Sequence, residues 1–393
     1  MTPMKRLLIR CISVLASFAV TTAIVPREIA GHAAQPLFDG ELAAQDALAR
    51  TVARELAAQP NRQFYRSGSR RFDGQSAIAI YQMAILGMGQ IIREHPERRG
   101  EYLPAMRAAA ARLVDPRTLP TAATVWGENG LVAMAPGAGH AYLGYINLAL
   151  GMLRAVDPET PYAALNDRLT AALADRLDRS ATGLIETYPG ETWPPDVAAV
   201  AGSIGLHASV TGIDGVGRHA LLERWARRFE ACAVDRSGYL VQRVRSGTCK
   251  PIDAPRGSGT AIASYFLGFA DARLSRRLYD ALRDQGRTCV LGFCGIREYA
   301  PGFHGKGDGD SGPLVMGLSV GATGFALGAA RAHGDGDLYR ELYRSTHLVG
   351  VPIGVDGRTK FAAGGALGNA LLLAMLTANP ISSGAVAPPR RER

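Results

Sequence analysis

The chain is poor in several things that would narrow its function at once. Lysine is nearly absent, at positions 5, 250, 306 and 360, so the basic character rests on arginine. No basic run is interleaved with aromatics, which argues against nucleic-acid binding. There is no Gly-x-Ser-x-Gly elbow, no His-Glu-x-x-His and no Walker lysine, so serine-triad hydrolysis, zinc peptidase chemistry and nucleotide hydrolysis are disfavoured. Cysteine is limited to five residues without a Cys-x-x-Cys pair, which disfavours a four-thiolate zinc site.

The formal charge of +9 is concentrated at the ends. Residues 1–33 contribute +3 and the tail Arg390-Arg-Glu-Arg393 another +2, leaving +4 on the body. A hydrophobic content of 47% over 393 residues fills a large core and excludes disorder of the whole chain. Lys5 and Arg6 precede an apolar run from Leu7 to Val25, and small residues follow at Ala30, Gly31, Ala33 and Ala34. The expectation is a signal peptide or N-terminal anchor over residues 1–34, with cleavage after Ala33 or Ala34 if it is removed. Arg10 interrupts the run, so an uncleaved anchor stays open. Losing Cys11 with that segment leaves an even set, Cys232, Cys249, Cys289 and Cys294, consistent with export to a periplasmic or extracellular space. Pairing of sequence neighbours gives Cys232 with Cys249 and Cys289 with Cys294.

From Asp73 onward, nearly uncharged helices rich in Gly and Ala alternate with charged amphipathic ones. The apolar members begin near Asp73, Gly139, Pro195, Arg256, Asp310 and Ala362, at separations of 66, 56, 61, 54 and 52 residues. A helix apolar on every face must be surrounded, whereas one with a charged face lies at the surface. Six of each predict an all-α fold, an (α/α)6 toroid with an inner and an outer ring, over residues 35–379, followed by a Pro- and Arg-rich tail over 380–393. The competing reading is a multi-pass membrane protein, because Pro313–Ala330 and Phe361–Ala378 each run 18 residues without a charge.

In such a toroid the residues leading into each inner helix converge on the mouth of a central cavity. The densest of these stretches is Glu186-Thr-Tyr-Pro-Gly-Glu-Thr-Trp-Pro-Pro-Asp196, three carboxylates, two aromatics and three prolines in a stiff loop. The candidate catalytic residues are Glu191, Asp310, Asp196 and His140, with Glu191 and Asp310 as the leading acid/base pair. The candidate substrate contacts are Tyr188, Trp193, Tyr142, Trp126, Arg256, Asp73 and His304. An Asp at a helix start is usually an N-cap, so Asp73, Asp196 and Asp310 each have that competing role. His140 competes with a structural histidine and His304 with a solvent-exposed one. Asp308-Gly-Asp310-Ser-Gly312 has the opening spacing of a calcium loop, but the closing acid is missing, and a helix-start turn is preferred. No metal or cofactor is expected.

Tyr188-Pro-Gly-Glu-Thr-Trp-Pro-Pro-Asp196 and Gly309-Asp-Ser-Gly-Pro-Leu-Val-Met-Gly317, with Ala322-Thr-Gly-Phe325, resemble segments of exported six-hairpin toroid proteins. The resemblance is nearest the linalool dehydratase/isomerase-like family. It implies an (α/α)6 barrel with a site at its mouth and cofactor-free proton transfer on a small tertiary alcohol. That family's active-site cysteines fall in the connection that here reads Tyr188 to Asp196, where there is none. Tyr188 and Asp196 stand in their place, and His140 or Tyr142 matches the family's catalytic histidine by location.

The reading is therefore an exported acid/base enzyme that acts on a glycan or sugar derivative by hydrolysis or elimination. A hydro-lyase or isomerase on a small hydrophobic alcohol is the alternative, and a non-catalytic glycan-binding or envelope protein the second. The expected partners are a small-molecule or glycan substrate, and a membrane only through an uncleaved N-terminal segment.

Overall fold

The computed structural model describes residues 3–19, 21, 24–58, 70–115 and 140–379, with the side chains of 3, 7, 19 and 70–73 outside that description. Helices dominate: α1 (Pro3–Ala19), α2 (Val25–Phe38), α3 (Leu42–Ala58), α4 (Arg70–Glu94), α5 (Arg99–Leu113), α6 (Leu143–Val156) and α7 (Ala163–Arg179). They continue as α8 (Pro194–Thr211), α9 (Gly215–Ala233), α10 (Gly257–Leu267), α11 (Ala272–Ala281), α12 (Val320–Ala332), α13 (Gly336–Gly350) and α14 (Gly365–Leu376).

The apolar helices α4, α6, α8, α10, α12 and α14 pack each on the next, and α14 packs on α4. The charged helices α5, α7, α9, α11 and α13 each pack on the apolar helix before them, and α3 packs on both α4 and α14. Glycine permits these close approaches. A Cβ at Gly144 of α6 would lie 2.6 Å from the Val200 amide nitrogen of α8, and one at Gly202 would lie 2.5 Å from the Phe266 carbonyl oxygen of α10. Polar side chains inside the apolar layer satisfy one another. Asn147 donates to Thr170 and Ser203, and Gln90 of α4 donates to the Ala374 carbonyl and Thr377 hydroxyl at the end of α14.

Local signals fix the ends. Pro194 and Pro195 open α8, where their missing N–H groups leave nothing unsatisfied, and Gly212 closes it at φ 68°. Asp271, Ser319 and Asp335 cap α11, α12 and α13 through their side chains.

Short antiparallel strands occupy the connections that lead into apolar helices, an addition to the expected all-α fold. Strands β1 (Glu191–Thr192) and β2 (Val244–Arg245) pair Glu191 with Arg245 and tie two of these connections together. Strands β3 (Arg287–Val290), β4 (Phe293–Arg297), β5 (Leu314–Val315) and β6 (Leu318–Ser319) form a sheet in the order β3-β4-β6-β5. A hairpin of β7 (Pro352–Val355) and β8 (Arg358–Phe361) leads into α14. Consequently α12 starts at Val320 rather than near Asp310, and the uncharged run Pro313–Ala330 is part strand and part helix. Helices α12 and α14 span 13 and 12 residues, too short to cross a bilayer. Helix α4 is long and apolar enough over Gly74–Glu94 to cross a membrane, but 83% of its most apolar stretch is buried inside the protein.

Helix α2 crosses the expected boundary at residue 34. Ala30, Gly31, Ala34 and Leu37 are buried, and the helix packs along α13. Arg331 of α12 locks this end by donating to the Leu37 and Phe38 carbonyls and to Glu94. Cys232 is bonded to Cys249 and Cys289 to Cys294, a pairing compatible with an oxidising compartment. The tail 380–393 lies outside the described residues.

Candidate active site

A cavity of about 460 Å³ opens where the apolar helices begin, and all six contribute to its lining. Gln75, Ser76 and Gln82 come from α4, Tyr145 from α6, Asp196 from α8, Ser258 and Phe266 from α10, Phe325 from α12, and Leu367 and Leu371 from α14. The connections add Tyr142, Tyr188, Glu191, Trp193, Gln242, Arg243 and Asp310. The lining is polar toward the connections. It is apolar where Ile78, Met83, Ile262, Phe266, Phe325, Leu367 and Leu371 meet.

Asp196 sits in the first turn of α8 without capping it. Its carboxylate accepts from the hydroxyl of Tyr145 and, at 2.7 Å, from that of Thr187. Burial first, and then the charges of Asp196 and Asp310, push the Tyr145 phenol well above its ordinary range. The phenol therefore stays neutral. Asp310 reaches the mouth from an exposed loop, whereas Asp196 is half-buried.

The neighbouring groups are fixed by pairing. Tyr188 stacks on Tyr142 at 6.3 Å and 8°, and its hydroxyl accepts from Gln75. The indole of Trp193 donates to Glu191 at 3.1 Å, while Arg243 lies over the indole ring at 5.3 Å and is held by Asp253 at 3.0 Å. One amide atom of each of two buried lining residues, Nε2 of Gln82 and Oε1 of Gln242, has no hydrogen-bond partner among the described residues. A buried polar atom without a partner is costly, so these atoms mark where a bound ligand gains most from hydrogen bonding.

Beside the cavity, Arg256 is a structural hub. It pairs with fully buried Glu298 at 2.6 Å and with Asp308, and Ser258 also donates to Glu298 at 2.7 Å. Asp308 Oδ1 accepts the amides of Asp310 and Ser311, each at 3.1 Å, so the acidic segment closes on itself as a turn. Burial opposes the charge of Asp308, but Arg256 and these amides outweigh it and hold the carboxyl below its usual range.

Of the candidates read from sequence, Glu191, Asp196, Asp310, Tyr188, Trp193 and Tyr142 line one cavity. His140, Arg256 and His304 do not line it. His140 is fully buried at φ 57° with its ring 6.1 Å from that of Tyr142, Arg256 is tied up in ion pairs, and His304 is exposed. Trp126 and the side chain of Asp73 lie outside the described residues. Gln75, Gln82, Gln242, Arg243 and Ser258 carry no sequence signal that marks them as lining residues. The available signal for Tyr145 was its position three residues after Tyr142, at the start of an otherwise apolar helix.

No protein-family model matches the chain, and no curated protein matches it. Among solved structures, a chain titled as a polysaccharide lyase aligns at 14% identity and a TM-score of 0.38, covering 77% of this chain and 97% of that one.

Proposed function

We propose that the chain is an exported (α/α)6 toroid enzyme that breaks a C–O bond in a glycan or sugar derivative by acid/base catalysis. The observation that carries this reading is that Asp196, bonded to the Tyr145 phenol, and Asp310 line one cavity to which all six apolar helices contribute. One carboxyl of this pair gives a proton to the leaving oxygen, which departs with the bonding electrons. The other takes a proton, from water in hydrolysis or from the neighbouring carbon in elimination. Glu191 is held by Trp193 and accepts a substrate hydroxyl, and the indole offers a stacking face. Arg243, the one cation among the described lining residues, suits an acidic sugar. A volume of about 460 Å³ is that of a small-ligand pocket, which favours one or two rings over a long polymer.

Elimination of water from a small hydrophobic alcohol is the second reading, favoured by the apolar wall of Ile262, Phe266, Phe325, Leu367 and Leu371. Mass spectrometry after incubation with a panel of neutral and acidic oligosaccharides and tertiary alcohols tests both. Hydrolysis adds the mass of water to the products, and elimination leaves a new double bond. Asp196→Asn and Asp310→Asn should each lower turnover on the accepted substrate by about 100-fold or more. Full activity in both variants rejects this assignment.

A further inference from the structure

The end of the molecule that carries the cavity mouth also carries the exit of the N-terminal helix, and exposed apolar side chains surround that exit. Helix α2 runs antiparallel to α13. The Phe38 ring lies tilted against that of Tyr339 at 5.3 Å, Gln35 accepts from Arg340 at 2.8 Å, and Gly31 and Glu28 lie against Arg344. This course brings the first turn of α2 to the last turn of α13. The turn between β3 and β4 closes on the same place, since a Cβ at Gly292 would lie 2.7 Å from Cδ of Arg27, and Ser345 donates to the Cys294 carbonyl. Helix α13 ends in the β7–β8 hairpin, which leads into α14, whose Leu367 and Leu371 line the cavity. Val25 and Ile29 of α2, Leu291, Leu348 and Val349 of α13, and Ile353 of β7 are each between 45% and 78% exposed around this corner.

Helix α1 supplies the second observation. Leu8, Ile9, Ile12, Val14, Leu15 and Phe18 are all more than half exposed, so the helix buries little of its apolar surface in the body. From Cys11 to Val25 the sequence has 15 residues without a charge, ending where α2 docks. At helical rise that length covers about 22 Å, less than the ~30 Å of a bilayer core. A short anchor is accommodated by drawing its flanks toward the interface, with Arg10 reaching to the headgroups on one side. On the other side the flank is the body itself, apolar corner first, and the formal charge of +6 over residues 11–393 complements anionic lipid.

We propose that α1 is retained as a membrane anchor and that the mouth end of the body rests on an anionic bilayer, its apolar corner in the headgroup layer. The cavity then opens beside the lipid surface. This inference does not depend on the chemistry assigned to the cavity.

The test places the full chain, carrying Cys11→Ser, in nanodiscs of anionic phospholipid. Single cysteines are introduced by Val349→Cys, Ile353→Cys and, on the opposite end after α8, Val216→Cys, which is 89% exposed. Each is labelled with an environment-sensitive fluorophore, and circular dichroism checks that each labelled protein keeps its helix content. The expected result is a blue-shifted emission at 349 and 353, reduced at least ~2-fold by lipids carrying a quencher in the upper chain, with no change at 216. Equal quenching at all three positions, or none at 349 and 353, overturns the proposal. So does recovery of the chain from cells with its N-terminus beyond Val25.

Discussion

Tyr145→Phe removes one of the two hydroxyls that hold Asp196 and leaves Thr187 in place. On a substrate identified by the panel, this variant is expected to lower kcat by roughly ten-fold or more with little change in KM, because it alters an acid/base carboxyl rather than the walls. Steady-state kinetics with matched melting curves check this. His333 makes a separate, pH-linked prediction. Burial, assisted by Arg276, depresses its imidazole from 6.5 to about 4, and Ser275 lies 2.9 Å from Nε2. Between those pH values the unfolded chain binds a proton that the folded chain refuses, so this contribution is complete above 6.5 and is lost as pH falls toward about 4. His333→Gln is expected to flatten the fall in Tm across that window, measured against the parent chain. At this scale the sequence made Asp196 and Glu191 legible, because a proline-rich loop before an apolar helix concentrates acids and rings. It did not separate Asp196 from a helix cap, since a first-turn Asp looks the same whether it binds backbone amides or a phenol 51 residues away. Gln82 and Gln242 were invisible for a related reason, since only tertiary structure turns an ordinary amide toward a cavity.

Close packing of small residues sets the tolerance of the helices. Gly202→Ala pushes a methyl into the Phe266 carbonyl of α10, backbone that cannot yield easily, and is expected to cost about 1–3 kcal/mol in denaturant unfolding. A parallel change at Gly100, where nothing lies within 4 Å, is the control. The Cys232–Cys249 bond closes a 17-residue separation and ties the end of α9 to the loop after β2. Its replacement by two serines is expected to lower stability by about 2–4 kcal/mol, read in non-reducing conditions. The alternation of apolar and charged helices was legible because its period is long and its composition extreme. The strands were not, since runs of two to five residues give no periodicity to read. That gap also displaced the start of α12 by ten residues, because β5 and β6 intervene after Asp310.

Across the whole molecule, the site depends on contacts between the ends of the described chain. Leu367 and Leu371 complete the cavity wall, and Asn369 accepts the Phe361 amide at 2.9 Å while lying near Glu55 of α3. A chain ending before Gly365 is expected to retain much of its helical circular dichroism, lose cooperative unfolding and bind a hydrophobic dye. The junction of α14 with α4, where Gln90 grasps residues 374 and 377, also sets the order of events in the life of the protein. Because those partners are 284 and 287 residues apart, α4 can settle early on α5 and α6, but its face toward α14 stays open until nearly all of the chain has emerged. Folding is therefore expected to be slow and late, governed by the closing of one very long loop. For a chain carried across a membrane before folding, such a delay would leave the ring of helices open until the last of them has passed.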